Sequence, residues 1–314
     1  MTHAPDLASN VVVCLAGPTG TGKSALAIAL ARYFGGAVVN LDSRQIYSGL
    51  PVITAQPSKE EFEAAPHLLY GFLPCSRKMT AGLFAELALE AAGFCFSAGR
   101  LPILVGGTGL YLDALINGIA PIPEVGREIS SYWRMRLERA GARELYRELV
   151  GADPEYAAKI SSNDPQRITR ALEVWTGTGR TLSWWHSRPL PPFPYRVLKL
   201  GLKMPMDRLE SRLALRIERM LELGALAEVE RGMAVDPGGN LPGFSSIGFL
   251  ELSAYLSGET SLAESKEKWL RATRAYAKRQ LTWFGRDADM HWLSERGSFE
   301  EGVELLASFL NRSG

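Results

Sequence analysis

Apolar residues fall along this chain in two rhythms: short unbroken runs and longer stretches with a three-to-four-residue repeat. The runs VVVCLA at 11–16, AVVNL at 37–41 and PILV at 102–105 have the length and β-branched content of buried strands. Between them, residues 24–33 and 81–97 place Ala, Leu and Phe at helical spacing. Strand alternating with helix predicts an α/β fold, a parallel sheet with helices on its faces. In such sheets ligands gather beyond the carboxyl ends of the strands. Three segments arrive at that edge: residues 17–24 after the first strand, Asp42-Ser43-Arg44-Gln45 after the second, and Gly106-Gly107-Thr108-Gly109 after the third.

The rhythm changes downstream. From 126 to 187 the chain reads as charged amphipathic helices with no strand runs, so a helical insertion domain (126–187) is expected to interrupt a core made of 1–125 and 188–314. Within it, Asn163-Asp164-Pro165 is a helix start, with a capping Asn or Asp and proline at the first position, and it sets Arg167 and Arg170 on one face. Four prolines in the six residues 189–194 read as a rigid connector. Residues 195–204 alternate again like a strand. A helix over about 206–233 carries Leu209, Leu213, Ile217 and Met220 as a packing stripe beside Arg208, Arg212, Arg216 and Arg219. A last long helix, 260–284, places Lys266, Lys268, Arg271, Arg274, Lys278 and Arg279 against Glu267 alone among acids after residue 265. Charge by itself favours a solvated face for that run. Trp269, Tyr276 and Trp283, at helical spacing, are read as core and not as base-stacking platforms.

The loop after the first strand carries the chemistry. Gly17-Pro18-Thr19-Gly20-Thr21-Gly22-Lys23-Ser24 completes the G-x-x-x-x-G-K-[ST] phosphate loop between a strand and a helix, which is the context the motif needs. Its glycines let backbone N–H groups turn inward around a polyphosphate, the helix N-terminus adds partial positive charge, and Lys23 reaches the outer phosphates. Ser24 would set its hydroxyl on a magnesium ion. The fold class is therefore a phosphate-loop NTPase-like core with a helical insertion. Phosphoryl transfer normally also requires a carboxylate at the end of a hydrophobic strand. Here the strand at 102–105 ends in Gly106-Gly107, and the acid at a strand end is Asp42. A base beside a bound polyphosphate fits a different use of the cradle, in which diphosphate leaves while its organic substituent moves to a nucleophile.

Composition narrows the setting. At 314 residues and 46% hydrophobic, the chain has room for two domains with a real core. Its 35 basic and 34 acidic residues give no global signal for nucleic acid, so any basic surface must be local. Cys14, Cys75 and Cys95 lack metal spacing and, with no signal peptide apparent, are expected to be reduced thiols. No apolar run spans a bilayer, and a cytoplasmic protein without a membrane partner is expected.

These motifs, joined to Leu41 through Tyr47, Thr54-Ala55, Pro66-His67-Leu68, Val105 through Tyr111, Asn163-Asp164-Pro165-Gln166-Arg167 and Thr273-Arg274 through Lys278-Arg279-Gln280-Leu281-Thr282-Trp283, resemble the bacterial tRNA dimethylallyltransferase family in order and spacing over nearly the whole chain. The resemblance implies transfer of a dimethylallyl group from dimethylallyl diphosphate to the exocyclic amine of the adenine 3′ of the anticodon, in tRNAs reading codons that begin with U. It also implies a magnesium requirement, an insertion that grips the anticodon stem-loop, and a monomer. It places Thr108, otherwise a turn threonine, at the substrate. Its pattern around Arg216-Ile217-Glu218-Arg219 favours Arg216 and Arg219 for diphosphate. It assigns tRNA contacts to Asp42, Ser43, Arg44, Gln45, Thr108, Gln166, Arg167, Ile168, Thr169, Arg170, Ser246, Ile247, Gly248, Phe249, Lys278, Arg279 and Gln280. Two departures stand out: Ile53 and Gln56 replace Gly and Lys in a usual G-T-A-K-P, and Phe249 stands where Tyr is common.

The residues agree with this chemistry on their own terms. An adenine amine is a poor nucleophile, so a base must take its proton as the new bond forms. Asp42 is the candidate, a metal-holding or structural carboxylate being the alternative. Lys23, the loop N–H groups and magnesium would stabilise the departing diphosphate. A nucleotide prenyltransferase needs no long helical insertion, a small-molecule kinase lacks its strand-end carboxylate, and a non-catalytic RNA-binding relative would not need Lys23, Ser24, Asp42 and Thr108 together.

Overall fold

A computed structural model of the chain describes residues 10–188, 191, 193–295 and 297–311; the proline connector read at 189–194 lies partly outside them. The chain divides into two compact units, Met1–Ile116 with Phe193–Gly314, and Asn117–Pro192.

The first unit is built on six strands, β1 (Val11–Ala16), β2 (Ala37–Asn40), β3 (His67–Leu68), β4 (Pro102–Gly106), β5 (Arg196–Leu202) and β6 (His291–Leu293). They form one sheet in the order β3-β2-β4-β1-β5-β6, parallel throughout. Its N-terminal helices are α1 (Lys23–Phe34), α2 (Lys59–Ala64), α3 (Ala81–Ser97) and α4 (Gly109–Ile116). The second unit holds α5 (Arg127–Ala140), α6 (Ala142–Ala152), α7 (Pro154–Ala157), α8 (Pro165–Thr178) and α9 (Leu182–His186). The first unit then resumes with β5 and adds α10 (Met206–Glu222), α11 (Ala225–Val235), α12 (Phe249–Leu256), α13 (Leu262–Phe284) and α14 (Ser298–Asn311).

Both faces of the sheet are covered, which is why its strands read as continuous apolar runs instead of alternating ones. Along β1, Val11, Val13 and Leu15 pack with Leu26 and Leu30 of α1 and Leu306 and Leu310 of α14. Val12, Cys14 and Ala16 point the other way, into a cluster with Phe84 of α3, Leu112 of α4, Ile217 of α10 and Phe284 of α13. Each fully buried Leu or Phe in these layers stabilises the fold by roughly 1.5–3 kcal/mol. In the second unit, Trp133, Leu145, Leu149, Ile168, Leu172 and Val174 form a separate core. The start of α8 has the expected geometry: the Asp164 carboxylate accepts the Arg167 N–H at 3.1 Å, with Pro165 at the first helical position.

One expected element is corrected. The helix read over 206–233 is two helices, because Gly224 adopts a left-handed conformation (φ 94°) that closes α10 and opens α11. The small elements β3, β6 and α2 were not legible as runs. Among the described residues no helix is long and apolar enough to cross a membrane.

Candidate active site

The phosphate loop leaves β1 at Gly17 and enters α1 at Lys23. Gly17, Gly20 and Gly22 all have positive φ (139°, 84° and 93°), the conformation that turns successive N–H groups to one side. Leu209 and Leu213 of α10 press on the loop so closely that a Cβ on Gly20 would stand 2.9 Å from Leu213 Cδ2. Inside it, the Thr21 hydroxyl donates to the Pro18 carbonyl at 2.8 Å and Lys23 Nζ donates to the same oxygen at 2.6 Å. Lys23 is only 9% exposed. Burial lowers its ammonium from 10.5 to about 7, with Asp42 opposing that shift and Arg216 adding to it. An anion entering the loop would favour the charged form of this amine.

The second segment follows β2. Asn40, fully buried, donates to the Asp42 and Leu69 carbonyls at 3.0 and 2.9 Å and accepts the Asp42 N–H at 2.8 Å, fixing where the chain turns. The Asp42 carboxylate accepts the Arg44 N–H at 2.8 Å. The third segment follows β4, where Thr108 Oγ accepts the Ser43 N–H at 2.9 Å and lies 3.3 Å from the Ser43 hydroxyl. Gly106 permits this junction, since a Cβ there would overlap the Leu41 carbonyl.

Two adjoining cavities open over these ends. The first, about 250 Å³, is polar and lined by Thr19, Gly20, Gly22, Lys23, Ser24, Asp42, Gln45, Gln56, Gly106, Arg216 and Gln280, among others. The second, about 310 Å³, is walled by Ile53, Leu213, Ile217, Met220, Ile247 and Trp269, with Arg44, Ser246, Thr273, Tyr276 and Arg279 around it. Thr19, Asp42 and Arg216 line both. A carboxylate thus stands where an anion cradle meets an apolar chamber. Burial pushes the Tyr276 phenol up to about 12, and Asp42 adds to the rise.

Several residues read from the sequence fall elsewhere. Arg216 lines the cavities, but Arg219 is 69% exposed and pairs with Glu222 at 3.2 Å, because one further turn fraction carries it off the inner face of α10. Ile168 and Phe249 are buried in hydrophobic cores, which leaves no surface for RNA, and Ser246 is buried as well. Gly248 is buried against the Trp269 ring. Gln280 is 4% exposed and its amide is taken up by the protein. Gln166, Arg167, Arg170, Lys278 and Arg279 are exposed, and Thr169 is half-buried with its hydroxyl on the Pro165 carbonyl at 2.7 Å. Ser43, Arg44 and Gln45 are half-buried; Arg44 donates to Ser245 Oγ at 3.0 Å, and Gln45 Nε2 donates to the Ala55 carbonyl at 2.5 Å. Of the three aromatics of α13 read as core, only Trp269 is; Tyr276 faces the cavity, and Trp283 is 40% exposed against Gly109.

The sequence reading missed the walls of the apolar chamber. Leu213, Ile217 and Met220 showed only as a packing stripe. It also missed Glu228, 2% exposed on α11, whose carboxylate accepts the Val52 and Ile53 N–H groups at 3.0 and 2.7 Å and so holds the 52–56 turn at the cavities. Gln56, at one of the departures, donates to the Tyr47 carbonyl at 2.8 Å and fills the same turn.

Comparison with known proteins agrees along the whole chain. A relative from Oleidesulfovibrio alaskensis, a tRNA dimethylallyltransferase, is 51% identical over 94% of this chain and 98% of its own. One of the same name from Maridesulfovibrio salexigens is 48% identical over 95% of this chain and 97% of its own. Among solved structures, the tRNA isopentenylpyrophosphate transferase of Bacillus halodurans is 30% identical with a TM-score of 0.72, covering 97% of this chain and 98% of that one. A eukaryotic dimethylallyltransferase seen acting on tRNA is 28% identical with a TM-score of 0.83, covering 98% of this chain and 81% of that one. The model of the IPP transferase family matches residues 45–287. With a phosphate cradle and an apolar chamber meeting at Asp42, and with relatives this similar from end to end, the chain belongs to the IPP transferase family.

Proposed function

We propose that this protein is a tRNA dimethylallyltransferase. It moves the dimethylallyl group of dimethylallyl diphosphate to the exocyclic amine of the adenine 3′ of the anticodon, in tRNAs reading U-starting codons, and releases diphosphate. The observation that carries this reading is the junction of the two cavities at Thr19, Asp42 and Arg216. Diphosphate fits the polar cavity, against the loop N–H groups, Lys23 and Arg216. The prenyl tail and the incoming base fit the apolar one. The C–O bond to diphosphate breaks as the N–C bond forms, and Asp42 takes the proton that the amine sheds. Lys23 and Arg216 stabilise the negative charge that grows on the departing oxygens. Thr108, tied to Ser43, orients the Asp42 segment and the base beside it.

A magnesium ion fits the donor set. The Ser24 hydroxyl stands exposed at the first turn of α1 in the same cavity as Asp42, and the described residues include no cluster of three His, Cys, Asp or Glu that would hold an ion apart from the phosphates. Bound with the diphosphate, it would neutralise charge on the leaving group. The acceptor adenine must leave its stack to meet Asp42. Arg44, Lys278 and Arg279 in the first unit, and Gln166, Arg167 and Arg170 on α8, are proposed to hold the anticodon stem-loop in the cytoplasm. The protein is proposed to act as a monomer.

The test supplies magnesium and labelled dimethylallyl diphosphate with either unmodified tRNA or AMP. Label in tRNA alone is expected. Label in AMP would make the protein a nucleotide prenyltransferase, and no label in either acceptor would refute the reading.

A further inference from the structure

The family pattern puts Gln280 in a run of tRNA-contacting residues with Lys278 and Arg279, yet unlike theirs its side chain is buried. Trp269, Thr273, Tyr276 and Gln280 recur at four, three and four residues along the inward face of that helix, while Lys278 and Arg279 are exposed. Gln280 is 4% exposed, and both ends of its amide are engaged. Oε1 accepts the Thr19 N–H of the phosphate loop at 2.9 Å, and Nε2 donates to the Gly107 carbonyl at 2.9 Å. A Cβ on Gly107 would overlap Gln280 Nε2, so a larger residue there would displace the amide. From Gly107 the connection continues to Thr108, whose N–H donates to the Leu41 carbonyl at 3.3 Å and whose hydroxyl accepts the Ser43 N–H at 2.9 Å, on either side of Asp42.

We propose that Gln280 is a positioning residue for prenyl transfer, a buried clamp that fixes the distance between the phosphate loop holding the leaving group and the Gly107–Thr108 turn that orients Asp42. The inference rests on the function proposed above. One consequence is that the Thr19 N–H is committed to Gln280, so the loop presents its remaining donors to the anion in a shape set by α13. A second is that loss of the clamp leaves the buried Gly107 carbonyl and the half-buried Thr19 N–H without their partner. Misplacement by an ångström at a reacting centre costs on the order of 100-fold in rate.

The experiment uses the full chain with unmodified tRNA, magnesium and dimethylallyl diphosphate, and compares wild type with Gln280→Met, which keeps the length and loses both hydrogen bonds. Single-turnover rate with both substrates saturating is expected to fall about 100-fold, while the tRNA dissociation constant stays within about twofold. In a Thr108→Ala background the same substitution should cost much less, since the clamp acts through that turn. If Gln280→Met does not fold, Gln280→Glu retains the acceptor for Thr19, loses the donor to Gly107 and takes its place. An unchanged rate, an equal cost in both backgrounds, or a loss of tRNA affinity matching the loss of rate would overturn the proposal, the last restoring Gln280 as an RNA contact. Wild-type protein inert toward tRNA would instead remove the function beneath it.

Discussion

The strand ends of the first unit and the exposed helix faces of the second treat polar groups in opposite ways. At the strand ends the side chains of Thr21, Lys23, Asn40 and Gln280 are buried and donate to the backbone carbonyls of Pro18, Leu69 and Gly107. Gly106 sits where the backbone leaves no room for a Cβ, and a Cβ on Gly107 would meet the Gln280 amide. In the second unit Gly126, Gly141 and Gly151 have open space around them, and Arg167 and Arg170 are exposed, paired with Asp164 and Glu173 at 3.4 and 3.6 Å across a single helical turn. Surface pairs of that kind contribute little to stability, typically about 0–1 kcal/mol. Groups that do chemistry must be held still before substrate arrives, whereas groups that grip a charged backbone can wait in solvent and exchange a weak local partner for a phosphate.

Taking one buried group out of the strand ends has a large expected effect. Lys23→Met should lower the saturating transfer rate about 10²–10³-fold, the loss typical of one donor to a developing oxyanion, measured in single-turnover assays. Gly106→Ala comes next. Its Cβ would overlap the Leu41 carbonyl and stand 2.8 Å from the Asp42 nitrogen, so a loss of about 1–3 kcal/mol in denaturant stability is expected, against almost none for Gly151→Ala in the second unit.

Lys23 also predicts a smaller proton effect. Folding lowers its pKa from 10.5 to about 7, so between those values the ligand-free folded chain binds fewer protons than the unfolded one. Its contribution to stability therefore rises with pH across that window and is lost as pH falls through about 7. Diphosphate beside the ammonium restores the charge, so binding at pH 8 should take up close to one proton. Calorimetry in buffers of different ionisation enthalpy should detect that uptake in wild type and not in Lys23→Met. The smallest effect lies in the second unit. Arg167→Glu and Arg170→Glu should leave the saturating rate unchanged and reduce the slope of log affinity against log salt by about one for each phosphate that is no longer neutralised.

What could be read in advance follows the same division. The phosphate loop, Asp42 and the β1, β2 and β4 runs are local patterns, and each was legible from a few adjacent residues. The placement of Gln280 depends on residues 261 and 173 positions away, Thr19 and Gly107, and no local periodicity carries that. Glu228 reaches Val52 and Ile53 over a similar distance. The break at Gly224 was hidden because the apolar stripe of α10 continues in Ala225 and Val229 of α11. Arg216 and Arg219 look equivalent in sequence, and only the rotation of α10 separates a cavity wall from a solvated arginine. Ile168 lies among exposed neighbours on α8, Arg167 and Arg170, yet the helical period turns it into the core.

The central claim is that the strand-end site performs the chemistry and that Asp42 is its base. The most direct measurement is the saturating single-turnover rate of Asp42→Ala set beside its tRNA dissociation constant. The rate should fall about 10²–10⁴-fold, the usual worth of a positioned base, with tRNA affinity unchanged. Near-normal turnover would assign the proton to another group and contradict the account.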